Sequence, residues 1–152
     1  MGSLIYEDKP HYDIWVKAIL VLPVAIFLIP GLYLITSDPE TAIGLFVTAV
    51  LMAIIYWAIF PRKYCILDSK VKIALGGPLS FSIPFDSIET ARIPKGITLG
   101  INFVTSFSTK NAVEIARKRR LNVNITPSNR ELFLSNLGKA LNNWRDYNTR
   151  VR

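Results

Sequence analysis

The sequence predicts a two-helix transmembrane hairpin followed by a mainly β domain that ends in one α-helix. Three patterns lead to this prediction. Two long apolar runs lie near the N-terminus, apolar and polar residues alternate with a period of two after Phe60, and a final apolar stripe has spacings of three and four. The 152 residues are 51% hydrophobic, yet they carry a formal charge of +7. Both properties together indicate that apolar residues and charges are segregated along the chain.

The two apolar runs are long enough to cross a bilayer as helices. Residues 14–35 contain Lys17 as their only charge, and residues 41–60 contain none. About 20 such residues span the ~30 Å hydrocarbon core, and Lys17 lies near enough to one end to extend its ammonium to the interface. A signal peptide is disfavoured, because the approach to the first run is acidic and no A-x-A cleavage site follows it.

The basic residues around the runs predict their direction. The connection 37–40 is short, acidic and turn-forming, and residues 18–61 contain no Lys or Arg, whereas Lys9, Lys17, Arg62 and Lys63 flank the other side. The positive-inside rule therefore predicts a multi-pass protein of a bacterial or archaeal inner (plasma) membrane, with both termini in the cytoplasm. Aromatic residues are expected at the inner interface: Tyr12, Trp15, Tyr56, Trp57 and Phe60.

The period-two alternation after Phe60 predicts seven short antiparallel strands in a meander. A turn at Gly76-Gly77-Pro78 joins two of them, and Pro84 places its strand at a sheet edge or ends it there, because proline cannot donate a ladder hydrogen bond. The seven segments are 63–67, 71–75, 79–85, 87–92, 97–103, 113–115 and 121–125.

A single amphipathic helix is predicted to close the chain. Ser128 and Glu131 fit a capping box at its start, and Gly138 suggests close packing of the helix against a strand. The apolar stripe expected to plug the curled sheet consists of Phe133, Leu137, Ala140, Leu141 and Trp144. The predicted organisation is an N-terminal tail over 1–13, the hairpin over 14–60, the β domain over 61–147 and a basic tail over 148–152.

The order of seven strands and one helix resembles the bacterial pleckstrin-homology-like (PH-like) domains that follow membrane hairpins. The resemblance rests on Arg62-Lys63-Tyr64 leading from a membrane helix into the first strand, on the apolar step over 83–88, and on the strand, proline break and helix start over 123–128. It covers about residues 62–145. It implies a mainly β PH-like barrel with a capping helix, and a non-catalytic module that binds lipid, peptide or another subunit.

Catalytic chemistry is not predicted. His11 and Cys65 are the only residues of their kinds, and nothing around them indicates an orienting group or a pocket. Cys65 is interpreted as a buried strand residue, with S-palmitoylation as the alternative because it lies five residues beyond Phe60. The carboxylates after residue 61 show no paired spacing. We therefore predict no enzyme, no catalytic residue, no metal site and no cofactor.

The remaining functional signal is positive charge. Residues 61–152 carry 16 Lys and Arg against six Asp and Glu, a formal charge of +10. Three interpretations stay open: solvated charge that only sets topology, contact with anionic lipid, and contact with an acidic protein; nucleic acid is not expected. The candidate lipid or partner contacts are Arg62, Lys63, Lys70, Lys72, Arg117, Lys118, Arg119 and Arg120.

These observations predict a membrane-anchored binding module that positions a partner or itself at the inner face of the membrane. Its expected partners are membrane lipids, anionic ones above all, and an integral-membrane or cytoplasmic protein. The alternative is an accessory subunit of a larger integral-membrane complex, in which the hairpin itself makes the main contact.

Overall fold

The computed structural model describes residues 2–94, 100–106 and 108–150. Two long helices, α1 (Ile14–Leu34) and α2 (Pro39–Ile59), precede most of the β domain, and α3 (Arg130–Arg150) follows it. The strands are β1 (Leu4–Asp8), β2 (Lys63–Leu67), β3 (Lys70–Ala74), β4 (Ser80–Pro84), β5 (Ile88–Arg92), β6 (Gly100–Phe103), β7 (Val113–Arg117) and β8 (Asn122–Ile125).

The two predicted apolar helices are present, with limits one or two residues from the expected ones. Both are long and apolar enough to cross a membrane, and only 6% and 11% of their most apolar windows are buried within the chain. The protein therefore does not supply a core for them, and their side chains form a continuous apolar surface. Within the hairpin, Gly31 packs against the ring of Phe46, and Ala42 and Ala49 are buried on α2.

The N-terminal segment predicted as a tail over 1–13 contributes a strand instead. β1 pairs antiparallel with β2, with Glu7 opposite Cys65 and Asp8 opposite Tyr64. The β domain is therefore built from residues on both sides of the helical hairpin. Only five residues form this strand, so its alternation is a weak signal in the sequence. Its pairing with β2 joins two segments that are separated by 54 residues.

The strands form two four-stranded sheets, in the orders β1-β2-β3-β4 and β5-β7-β8-β6. In the described part of the chain after α2 there are seven strands, as predicted, and β4 is an edge strand that ends at Pro84. The prediction that all strands are antiparallel in a meander is wrong, because β6 pairs with β8 in parallel, with Ile101 opposite Val123. The tight β7–β8 connection puts β8 between β7 and β6. Ile97 and Leu99 lie outside the described residues.

One hydrophobic core joins the inner faces of both sheets to α3. The predicted stripe is confirmed: Phe133, Leu137, Ala140 and Leu141 are buried, and Trp144 packs edge-on against Phe85 with ring centroids 6.2 Å apart. The rest of the core is mainly aliphatic and includes Ile66, Val71, Ile73, Ile83, Ile88, Val113, Ile115, Val123 and Ile125. The helix therefore closes the space between the sheets, which is how a domain of this size gains enough buried apolar area.

Three details of α3 differ from the prediction. The cap is Asn129, whose Oδ1 accepts a hydrogen bond from the Leu132 amide at 3.0 Å, while the Ser128 hydroxyl donates to the carbonyl oxygen of Lys9 at 2.9 Å. A Cβ atom on Gly138 would meet no atom within 4 Å, so this glycine does not mark close packing. The helix continues to Arg150, so most of the basic tail predicted over 148–152 is helical.

Candidate functional site

The N-terminal half of the junction between helices and β domain is a cluster of hydrogen bonds. We call the end of the β domain that adjoins α1 and α2 the proximal end. The His11 amide donates to the carbonyl oxygen of Thr126 at 2.8 Å, and the Asp13 amide donates to that of Thr105 at 3.1 Å. The Thr105 and Thr126 hydroxyls are fully buried 2.8 Å apart, and Thr105 also lies 2.6 Å from the His11 carbonyl oxygen, to which it donates. The segment that enters α1 is thereby fixed to the ends of β6 and β8.

The C-terminal half of the junction is fixed by backbone contacts. The Arg62 amide donates to the carbonyl oxygen of Ala74 at 2.7 Å, and the Gly76 amide donates to that of Ala58 at 3.3 Å. The chain passes between the β domain and the hairpin twice, once before α1 and once after α2, and we call these two segments the chain crossings. The Tyr12 hydroxyl joins them, because it donates to the Pro61 carbonyl oxygen at 2.7 Å. Burial raises the pKa of Tyr12, which favours the protonated hydroxyl that donates this hydrogen bond. Because both crossings are hydrogen-bonded to the domain, the hairpin and the sheets hold a defined mutual orientation.

The eight predicted contact residues do not form one surface. Arg62 lies at the proximal end, and Lys63, Lys70 and Lys72 lie on the outer face of the first sheet, since their neighbours Tyr64, Val71 and Ile73 fill the core. Lys118, Arg119 and Arg120 are exposed in the turn between β7 and β8, which we call the basic tip. Arg117 stands apart from both groups.

Lys63 already has an acidic partner. Its ammonium lies 2.8 Å from the Glu7 carboxylate on β1, and this contact raises the pKa of Lys63. Glu7 is also 3.9 Å from the Cys65 sulfur, and burial followed by the charge of Glu7 raises the pKa of the Cys65 thiol. A thiol kept protonated is a poor nucleophile. His11 pairs instead with Asp13 at 3.4 Å, so the described contacts of His11 and Cys65 lead to different carboxylates.

Arg117 is a structural residue and not an exposed member of the basic cluster. It is 9% exposed, its Nε donates to the Leu121 carbonyl oxygen at 2.6 Å, and its guanidinium lies 5.7 Å from the Phe81 ring centroid. Burial lowers the pKa of Arg117. Strand alternation explains the placement, because Val113, Ile115 and Arg117 share the inward face of β7.

The basic tip lies at the opposite end of β8 from the contacts with the segment that enters α1, and we call this end of the domain the distal end. β8 begins beside the tip at Asn122 and ends at Ile125, next to the Thr126 contact with His11. At about 3.3 Å per residue, residues 121–126 separate the tip from the proximal end by roughly 15–20 Å. The Debye length at physiological ionic strength is about 8 Å. Salt would therefore largely screen the electrostatic interaction between the tip and a membrane surface at the ends of α1 and α2.

A buried carboxylate supports the strands that carry the tip. Glu114 is 2% exposed, and its two oxygens accept hydrogen bonds from Arg92 Nε at 2.8 Å and from Asn122 Nδ2 at 2.7 Å. The hydrogen bond from Arg92 is the main reason that the pKa of Glu114 is lowered. Sequence reasoning missed this group, because Arg92 and Glu114 are partners across two strands and no spacing along the chain reveals them.

The lowered pKa of Glu114 gives a pH prediction. The folded state favours the carboxylate, so its contribution to stability is present above the unfolded pKa of about 4.3 and is lost as the pH falls through the folded value. At pH values below about 4.3, we expect the free energy of unfolding to decrease as the pH is lowered. Glu114 accounts for at most about 1.4 kcal/mol of this decrease per pH unit.

The test is urea unfolding of the full chain in detergent at several pH values. Glu114→Gln is expected to flatten this part of the profile, whereas Glu89→Gln, at an exposed position on β5, is expected to leave it unchanged. Equal slopes in all three proteins would contradict the role given to Glu114.

Comparisons with models of protein families, with curated proteins and with solved structures find no match to this chain. The described residues contain no group of three or more His, Cys, Asp and Glu side chains that could hold a metal ion.

Proposed function

We propose that the chain is a membrane-anchored, non-catalytic, PH-like binding module that holds a soluble acidic partner at the inner face of the membrane. In this proposal α1 and α2 cross the membrane with both chain termini in the cytoplasm. The proximal end rests on anionic lipid through Arg62, and the basic tip faces the cytoplasm. The PH-like assignment is supported by the four-stranded antiparallel sheet, the second sheet that shares its core, and the closing helix α3.

The basic tip carries the proposal. Lys118, Arg119 and Arg120 are exposed, and within the described part of the chain none of the three forms an ion pair. Two hydrogen bonds fix the turn. Arg117 Nε donates to the Leu121 carbonyl oxygen, and the Lys118 amide donates to the Ser87 carbonyl oxygen at 2.8 Å. Arg119 has φ 54°, a left-handed conformation that is costly for a residue with a Cβ atom. A fixed turn that presents three unpaired cations can contact acidic groups on a partner without first breaking an ion pair within the chain.

The fixed junction determines where a partner bound at the tip is held. Because α1 and α2 anchor the chain in this proposal, a soluble partner that binds the tip is recruited from the cytoplasm to the membrane surface. Because both chain crossings are hydrogen-bonded to the domain, the tip would point in one direction instead of sampling all orientations. A partner bound there would be held about one domain length from the bilayer.

The test compares two variants that remove the same charge. The tip variant combines Lys118→Gln, Arg119→Gln and Arg120→Gln, and the face variant combines Lys63→Gln, Lys70→Gln and Lys72→Gln. The full chain is purified from its native membrane after crosslinking, and the co-purified soluble acidic proteins are quantified by mass spectrometry. We expect about a tenfold loss for the tip variant, since three exposed charge pairs contribute about 0.5 kcal/mol each, and retention by the face variant.

Two results would contradict the proposal. Equal loss in both variants would mean that net charge, and not the tip, attracts the partner. Stoichiometric co-purification with a multi-span protein that neither variant affects would favour the accessory-subunit alternative, in which the apolar faces of α1 and α2 make the contact.

A further inference from the structure

A shallow cavity of about 270 Å³ lies where the last turn of α2 meets the first two turns of α1. It is lined almost entirely by apolar and aromatic side chains, with one cation. The lining residues are Tyr12, Leu20, Tyr56, Trp57, Phe60 and Arg62. Leu20 is six residues into α1, so the cavity extends about 9 Å along the helix from its start. That span covers the interfacial region and the uppermost part of the hydrocarbon region of a bilayer.

The aromatic wall of the cavity is held by the junction. Phe60 lies with its ring centroid 6.4 Å from those of both Tyr12 and Tyr56, and Tyr12 is fixed by its hydrogen bond to Pro61. Tyr and Trp side chains are enriched at membrane–water interfaces, because they have an apolar body and a polar end. The wall therefore suits a ligand that has an apolar chain and a polar group at one end.

Among the lining residues that the structure describes, Arg62 is the one that carries a charge. Its side chain is exposed, its guanidinium lies 5.7 Å from the Trp57 ring centroid, and it forms no ion pair with any residue that the structure describes. A guanidinium placed over an aromatic ring keeps its outward N–H groups available for a second partner. Those paired donors fit the oxygens of a phosphate group in a bidentate geometry, and phosphate is the anion that a phospholipid headgroup carries at this depth.

A neighbouring cavity of about 330 Å³ shares Leu20 and Phe60 with the first one but has the opposite electrostatic character. Its polar lining residue is Ser106, whose hydroxyl lies 2.6 Å from an Asp13 carboxylate oxygen and donates to it. An anionic group is disfavoured beside that carboxylate. The two sides of the hairpin base thus differ in the charge that they accept.

We propose that the Arg62 cavity is a binding site for one anionic phospholipid, with the phosphate on the guanidinium and the upper part of one acyl chain against Leu20 and Phe60. This inference rests on the proposed function, because it requires α1 and α2 to lie in a bilayer. It adds a specific lipid class and a specific site to a general attraction between basic residues and an anionic leaflet.

The experiment uses the full chain reconstituted into phosphatidylcholine bilayers, with Trp57 as the only tryptophan after Trp15→Phe and Trp144→Phe. Brominated lipids quench tryptophan on contact, so brominated phosphatidylglycerol and brominated phosphatidylcholine report which lipid lies beside Trp57. We expect an apparent preference for the anionic lipid of about fivefold, the effect of one basic residue at the surface. Arg62→Gln is expected to abolish this preference, and Arg62→Lys to retain part of it.

Matched variants separate the site from general charge. The tip variant removes three cations at the distal end and is expected to keep the full preference, and 1 M salt, at which the Debye length is about 3 Å, is expected to leave a measurable part of it. An unchanged preference in Arg62→Gln, or an equal decrease in the tip variant, would overturn the inference. Equal quenching by both lipids would overturn the site while leaving the membrane anchor intact. Quenching by neither lipid would overturn the anchor as well.

Discussion

Replacing Phe133 by alanine is expected to lower the free energy of unfolding of the β domain by about 3–5 kcal/mol, the usual cost of removing a buried aromatic ring. Phe133 is fully buried, and its ring makes edge contacts with Tyr64 at 6.4 Å and with Tyr6 at 6.3 Å. It therefore connects α3 to β2 and to the N-terminal strand β1. Its loss leaves a cavity at the point where three separate parts of the chain meet.

The measurement is urea unfolding of the full chain in detergent micelles, followed by circular dichroism. Leu132→Ala is the matched control, because Leu132 precedes Phe133 on α3 but is 47% exposed, and its expected effect is within about 0.5 kcal/mol. Phe133→Leu keeps most of the apolar volume, so we expect a smaller loss of stability from it. It supplies the measurement if the alanine variant does not fold. Similar losses for Leu132→Ala and Phe133→Ala would contradict the place of Phe133 in the core.

Replacing Gly76 by alanine is expected to destabilise the junction between hairpin and domain by about 1–3 kcal/mol, the cost of inserting a methyl group where no space exists. A Cβ atom at position 76 would overlap the backbone carbonyl of Trp57 at the end of α2. Backbone cannot rotate away as a flexible side chain can. The β3–β4 turn must therefore move away from α2, which breaks the hydrogen bond from the Gly76 amide to Ala58.

Limited tryptic digestion after Arg62 measures this effect, since the opened junction exposes the chain there, and urea unfolding supplies the free energy. Gly138→Ala is the control, because its added Cβ would meet no atom within 4 Å and alanine favours a helix over glycine by about 0.5–1 kcal/mol. We expect one glycine-to-alanine change to destabilise and the other to stabilise. Equal effects, or faster cleavage after Arg62 in Gly138→Ala, would contradict the close approach at Gly76.

The position of β1 explains why the junction matters for the proposed function. The chain forms β1, leaves through α1, returns through α2 and forms β2 beside β1. Two paired strands thus hold both ends of the hairpin, and Lys63 and Glu7 form an ion pair across them. A single flexible crossing would let the domain rotate over the bilayer. Two hydrogen-bonded crossings keep Arg62 at the proximal end and the basic tip at the distal end.

Much of the fold is readable from the sequence because it depends on local pattern. Length and lack of charge predicted α1 and α2, period-two alternation predicted the seven strands after residue 60, and spacings of three and four predicted the buried face of α3. The parallel pairing of β6 with β8 was not predictable in this way, since alternation is the same for parallel and antiparallel neighbours. The capping residue differed by one position, because Ser128 finds a partner in Lys9, 119 residues earlier.

The candidate site also combines features that the sequence predicts with features that depend on the folded structure. The concentration of apolar residues in two runs and the positive charge of residues 61–152 follow from the order of the amino acids alone, because both are sums over the chain. The place of each cation depends on the folded structure: Arg117 is buried, Lys63 pairs with Glu7, Arg62 lies over Trp57, and the basic tip is at the far end of β8. Charge composition is additive, whereas burial, pairing and distance from the helices depend on which strands become neighbours.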